Sequence, residues 1–124
     1  MSDELRGVVV CHARLAGALI EAAEQISGVR GALVPVSNVD CDRGSLEERV
    51  AQAVDGIPAV VFVDMSSGSC LFAVLNRLRE TTGVKVVTGV NLAMLVDFLF
   101  HRSLTPAEAA ARAATAGGKA IGTR

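Results

Sequence analysis

Apolar and polar positions alternate between two spacings along this chain. Residues 7–12 (GVVVCH) stay apolar until the last, as a strand covered on both faces must. Leu15, Leu19, Ala22, Ala23 and Ile26 then recur at helical spacing, and Gly28 supplies a stop. Residues 31–37 (GALVPVS) predict a second strand, in which Pro35 cannot donate to a ladder and so belongs at a sheet edge. Ser45-Leu46-Glu47-Glu48 reads as a capping box opening a helix whose buried stripe is Leu46, Val50 and Val54. Residues 58–64 (PAVVFVD) predict a third strand, again apolar until its polar end. A Ser-rich turn at 66–69 leads to a helix with Leu71, Val74, Leu75 and Leu78 on its apolar face, ending near Gly83. Residues 84–88 (VKVVT) predict the fourth strand. Asn91 can cap a helix over 92–100, and Thr105-Pro106-Ala107-Glu108 opens a final Ala-rich helix that Gly117-Gly118 should end.

Strands alternating with helices from end to end predict an α/β fold: a three-layer, open, mostly parallel sheet with helices on both faces. The expected strand order is 2-1-3-4, and residues 119–124 should either add a short antiparallel edge strand or fray. No linker, repeat or low-complexity tract interrupts the pattern, so residues 1–124 are expected to form one domain. The helix at 92–100 is apolar on more than one face. Leu92, Leu95, Val96 and Leu99 form one stripe while Met94 and Phe98 point elsewhere, so either full burial or a subunit interface is expected.

Charge narrows the function. Twelve basic and 13 acidic residues leave a net charge of −1, which offers no electrostatic footprint for nucleic acid. Trp and Tyr are absent, so base-stacking platforms are nearly missing too. No apolar run is long enough to span a bilayer, and residues 1–6 form no basic leader, so a cytoplasmic protein without membrane insertion is expected. The three cysteines, at 11, 41 and 70, are widely spaced without a C-x-x-C pair and read as free thiols.

Two strands end in residues that can do chemistry, His12 and Asp64. In open α/β sheets, ligands bind beyond the carboxyl ends of the strands where the chain order reverses. In the order 2-1-3-4, strands one and three meet at that reversal, which sets His12 beside Asp64. A carboxylate bonded to one imidazole nitrogen fixes the tautomer and leaves the other nitrogen free as a nucleophile. Gly68 and Ser69 open the next helix, where unpaired amides and the helix dipole favour an anion such as a phosphoryl group. Taken singly, a strand-end histidine reads as a structural residue and Asp64 as a helix cap; together they read as a site.

Three blocks carry a family resemblance. VVVCHARLAGALIEAAEQISG, VVFVDMSSGS and VKVVTGVNLAML together resemble the IIA component of the mannose/fructose family of the phosphoenolpyruvate-dependent sugar phosphotransferase system. The resemblance implies that His12 is the phosphorylated residue, that Asp64 supports it, and that Gly68 and Ser69 contribute to the phosphate site. It implies a phosphoryl carrier that accepts phosphate from HPr and passes it to a IIB protein or domain, as a homodimer and without a cofactor or metal. The chain departs from the family pattern in three places. Ala13 stands for the usual glycine after the histidine, residues 65–70 (MSSGSC) replace an LFGGSP-like run, and Ala93 replaces the proline of a TGVNLPML-like segment. The altered 65–70 run motivates a second reading, a regulatory phospho-acceptor without sugar transport; the dihydroxyacetone kinase phosphodonor is a related third.

Other chemistries fit less well. A response-regulator receiver would need an acidic pair at the end of the first strand, where Cys11-His12 stands. A C-x5-R phosphatase would need Arg at position 17, which is Gly17, and no P-loop or G-x-G-x-x-G occurs. Cys11 and Cys70 flank the proposed site from both sides, which invites a metal or redox reading with His12, but buried free cysteine is common as a small hydrophobe, so no metal site is expected. Arg14 reads as a solvated first-turn charge, and His101 as complementing the dipole of the preceding helix.

Overall fold

The computed structural model describes residues 4–124. The expectation of no basic leader therefore lies partly, at residues 1–3, outside the described residues. Four strands, β1 (Arg6–Cys11), β2 (Leu33–Ser37), β3 (Ala59–Val63) and β4 (Val84–Thr88), form an all-parallel sheet in the order β2-β1-β3-β4. Helices α1 (Leu15–Ser27), α4 (Leu92–Leu99) and α5 (Pro106–Lys119) cover one face, and α2 (Arg43–Val54) and α3 (Ser69–Arg77) the other.

Side-chain alternation along the strands divides the core in two. Val9, Val60 and Phe62 pack under α1, α4 and α5, while Val8, Val10, Val61 and Val63 pack under α2 and α3. Both central strands are buried on both sides, which is why their sequences read as unbroken apolar runs. Phe62 meets Phe98 of α4 edge to face, centroids 5.3 Å apart, a geometry worth about 0.5–1.5 kcal/mol beyond its buried area. Pro35 lies on the edge strand β2, opposite Val9, as its missing N–H requires.

Several boundaries differ from the sequence expectation. Helix α2 begins before the proposed capping box: the Asp42 carboxylate accepts from the Ser45 N–H at 2.8 Å, which puts Ser45 inside the first turn. Helix α3 stops at Arg77 rather than near Gly83, because residues 79–82 (RETT) offer no apolar group to reward another turn. Helix α5 runs through Gly117-Gly118 to Lys119. Gly117 is there for contact: a Cβ on it would stand 2.5 Å from Met94 Cγ and 3.2 Å from Asn91 Oδ1. The antiparallel edge strand is absent among the described residues, and residues 121–124 have no regular structure. On α4, Leu95 and Phe98 lie in the core and Met94 packs on α5, while Leu92 and Val96 are only partly buried. Asn91 caps α4, and Thr105 with Glu108 forms the capping box of α5, both as expected.

Candidate active site

The first crossover leads from β1 outward to β2, and the second returns past β1 to β3. Val10 pairs with Val63, and the Asp64 N–H donates to the Val10 carbonyl at 3.3 Å, so the residues just past these strands become neighbours. His12 and Asp64 meet there. The His12 backbone N–H donates to Asp64 Oδ2 at 2.8 Å, and His12 Nδ1 lies 2.9 Å from the same oxygen.

Two bonds to one carboxylate oxygen fix both the backbone and the ring. With Asp64 ionised, Nδ1 carries the proton it donates, and Nε2 keeps its lone pair. Nε2 has no partner among the described residues. The His12 side chain is 39% exposed whereas that of Asp64 is 8% exposed, so the ring reaches solvent and its carboxylate partner is buried. Asp64 Oδ1 is buried without a hydrogen-bond partner.

The turn after His12 is held from the neighbouring loop. Ala13 has φ 52°, in the left-handed region, its N–H donates to Asn38 Oδ1 at 3.0 Å, and its carbonyl accepts from Ser37 Oγ at 2.6 Å. Arg49 of α2 in turn donates to the Ser37 and Val39 carbonyls. Gly68, at the N-cap of α3, has φ 97° and ψ −176°, a conformation open essentially to glycine alone. Its carbonyl accepts from the Phe72 N–H at 3.0 Å, and the amides of Ser69, Cys70 and Leu71 make up the first turn, which has no intrahelical acceptor. All four expected site residues thus belong to two adjoining strand-end turns.

Cys70, set aside in the sequence as a small buried hydrophobe, comes close to the pair, and an exposed rim on α3 was not anticipated. Cys70 Sγ lies 3.8 Å from His12 Nδ1. Burial and the Asp64 charge push the Cys70 thiol up to about 11, and burial with Asp64 pushes Cys11 to about 12, so both are neutral thiols near pH 7. Beyond them runs an apolar rim. Ser66, Ser67 and Gly68 share a cleft with Leu71, Phe72 and Leu75, and Met65, Phe72 and Leu75 are all at least half exposed. Leu75 was expected inside, but the buried stripe of α3 is Cys70, Ala73 and Val74, which turns Phe72 and Leu75 outward. The phase of that stripe was the available signal. Arg43 lies over the Phe72 ring at 5.5 Å. Arg14, at the N-cap position of α1, is exposed, and His101 Nδ1 lies 2.8 Å from the Asp97 carbonyl at the end of α4.

Residues 7–115 match a family model, EIIA-man, described as the PTS system fructose IIA component. The chain belongs to this family. As a IIA component, it is a phosphoryl carrier of a sugar phosphotransferase system. Solved structures with the same fold include the mannose/sorbose-specific IIA subunit from Enterococcus faecalis. That match has a TM-score of 0.84 at 21% identity and covers 98% of this chain and 95% of that one. The phosphotransferase component EIIA from Streptococcus agalactiae gives 0.88 at 18% identity, covering 96% of each chain. The PTS IIA protein associated with the fucose utilization operon of Streptococcus pneumoniae gives 0.78 at 19% identity, covering 98% and 96%. No curated protein matches. The IIA family match favours the sugar-transport branch over the regulatory and dihydroxyacetone kinase alternatives. No helix among the described residues is long and apolar enough to cross a membrane.

Proposed function

We propose that His12 Nε2 accepts a phosphoryl group from the phosphohistidine of HPr and passes it to a IIB protein or domain. The bond formed is Nε2–P, and the bond broken is N–P on the donor imidazole. Asp64 holds the Nδ1 proton and stabilises the positive charge that the ring gains as phosphate arrives. The amides around Gly68 and Ser69 then receive the phosphoryl oxygens. The observation that carries this reading is the Nδ1 bond to buried Asp64 Oδ2, which leaves Nε2 without a partner among the described residues on a ring that reaches solvent. No metal enters the transfer, because the reacting groups are two side chains brought together by docking. The same reading takes residues 1–124 as one IIA domain, acting as a cytoplasmic homodimer.

Incubation with phosphoenolpyruvate, enzyme I and HPr should label the wild type at His12 in an acid-labile bond, and His12→Ala should take up nothing. Asp64→Asn should slow labelling about 10- to 100-fold, since a hydrogen bond to a charged group is worth about 1.5–3 kcal/mol. Labelling that persists in His12→Ala would refute the assignment.

A further inference from the structure

The three cysteines occupy different settings. Cys11 belongs to the core under α1, Cys41 donates to the Asn38 carbonyl at 3.3 Å, and Cys70, in the first turn of α3, holds its sulfur near the His12 imidazole. One donor atom each from His12, Asp64 and Cys70 lies within 4.8 Å of the others. Asp64, with its side chain 8% exposed, also holds a buried oxygen that nothing satisfies, because its one imidazole bond goes to Oδ2. A desolvated carboxylate oxygen left in that state calls for a positive partner.

We infer that His12 Nδ1, the Asp64 carboxylate and the Cys70 thiolate form a binding site for a thiophilic divalent cation of the zinc type. A tetrahedral zinc with its usual bond lengths needs N···S near ~3.6 Å and N···O near ~3.3 Å. The corresponding separations are 3.8 Å and 2.9 Å, so these two edges fit after side-chain shifts of a few tenths of an ångström. Thiolate and carboxylate neutralise the dication, which suits a mostly buried position. A water would complete the four ligands usual for zinc. Binding expels the Cys70 proton to solvent, and the imidazole proton changes from Nδ1 to Nε2, so one proton is released per ion and affinity rises with pH. The family resemblance has proline where Cys70 stands, so the third donor is this chain's own. A consequence rests on the function proposed above: an ion on Nδ1 protonates Nε2, and the cation and the phosphoryl group exclude each other.

Metal-free, reduced protein should be titrated with Co²⁺ by absorption and with Zn²⁺ by calorimetry. One ion per chain should bind, with a near-ultraviolet thiolate-to-cobalt band. Cys70→Ala and the closer-sized Cys70→Ser should lose the band and weaken Zn²⁺ at least tenfold, His12→Gln should weaken it similarly, and Cys41→Ala should keep both. The site is refuted if the wild type gives no band, if the band survives Cys70→Ser, or if Zn²⁺ affinity is unchanged there. In a second arm, zinc-loaded protein should accept phosphate from HPr at least tenfold more slowly than metal-free protein. Equal rates would overturn the mutual exclusion, while a metal-free protein that is never phosphorylated would overturn the carrier reading and leave the cation site standing.

Discussion

Ala13 carries backbone strain beside His12. Its φ of 52° is one that an L-residue pays for, and the bonds from Asn38 and to Ser37 hold it there. The left-handed conformation costs about 1–2 kcal/mol for a residue with a Cβ, and glycine would relieve it. Glycine also loosens the unfolded chain by about 0.4–1 kcal/mol. The balance favours Ala13→Gly by roughly 0.5–1 kcal/mol, measurable as a higher urea midpoint at unchanged slope, and a lower midpoint would show that the strain is not real. The residue was visible in the sequence as a departure from the family's glycine; its conformation was not, because the φ is imposed by a loop 25 residues away in sequence. The sequence reading likewise reached the His12–Asp64 pair, through two apolar strands that each end in a polar residue. It weighed Cys70 beside the pair and set it aside, since a small thiol at a helix start looks the same whether it fills a core or faces an imidazole.

Elements were legible where their buried stripes were long, and less so at their ends. The core strands and the start of α5 follow from local chemistry alone, namely unbroken apolar runs and a Thr105–Glu108 capping box. The end of α5 does not, because Gly117 serves a contact with α4 that no local pattern announces. Two adjacent glycines make this testable. Gly118 has nothing within 4 Å of an added Cβ, so Gly118→Ala should gain only helix propensity, about 0.8–1 kcal/mol. At Gly117 the added methyl meets Met94 Cγ at 2.5 Å, and overpacking of about 1–3 kcal/mol exceeds the same gain. Chemical denaturation should therefore show Gly118→Ala raised and Gly117→Ala lowered relative to the wild type. A stabilised Gly117→Ala would mean that α4 and α5 are not packed this closely.

At the scale of the whole molecule, a parallel sheet with its order reversal between β1 and β3 delivers both chemical residues to one end, and that much follows from the alternation of strands and helices. What the pattern could not supply is the surface around them. Leu75 was assigned inward with Leu71, Val74 and Leu78, yet the stripe that meets the sheet uses Cys70, Ala73 and Val74, and Leu75 and Phe72 are left 50% and 62% exposed. Ser66 replaces the aromatic of the family's run, and Phe72, six residues further on in the first turn of α3, shares a cleft with it. Transfer between two histidines needs two protein surfaces in register, so this apolar rim is where HPr should dock. A few central aromatic or aliphatic groups carry most of such a contact, each at about 2 kcal/mol or more on truncation. Phe72→Ala should then raise the apparent KM for phospho-HPr about 10- to 30-fold while leaving the maximal rate and the thermal midpoint near wild type, because the side chain is exposed and adds little to the core. Arg43→Ala, which removes the guanidinium resting on that ring, should have a smaller effect in the same direction. An unchanged KM in Phe72→Ala would move the docking surface to another side of His12.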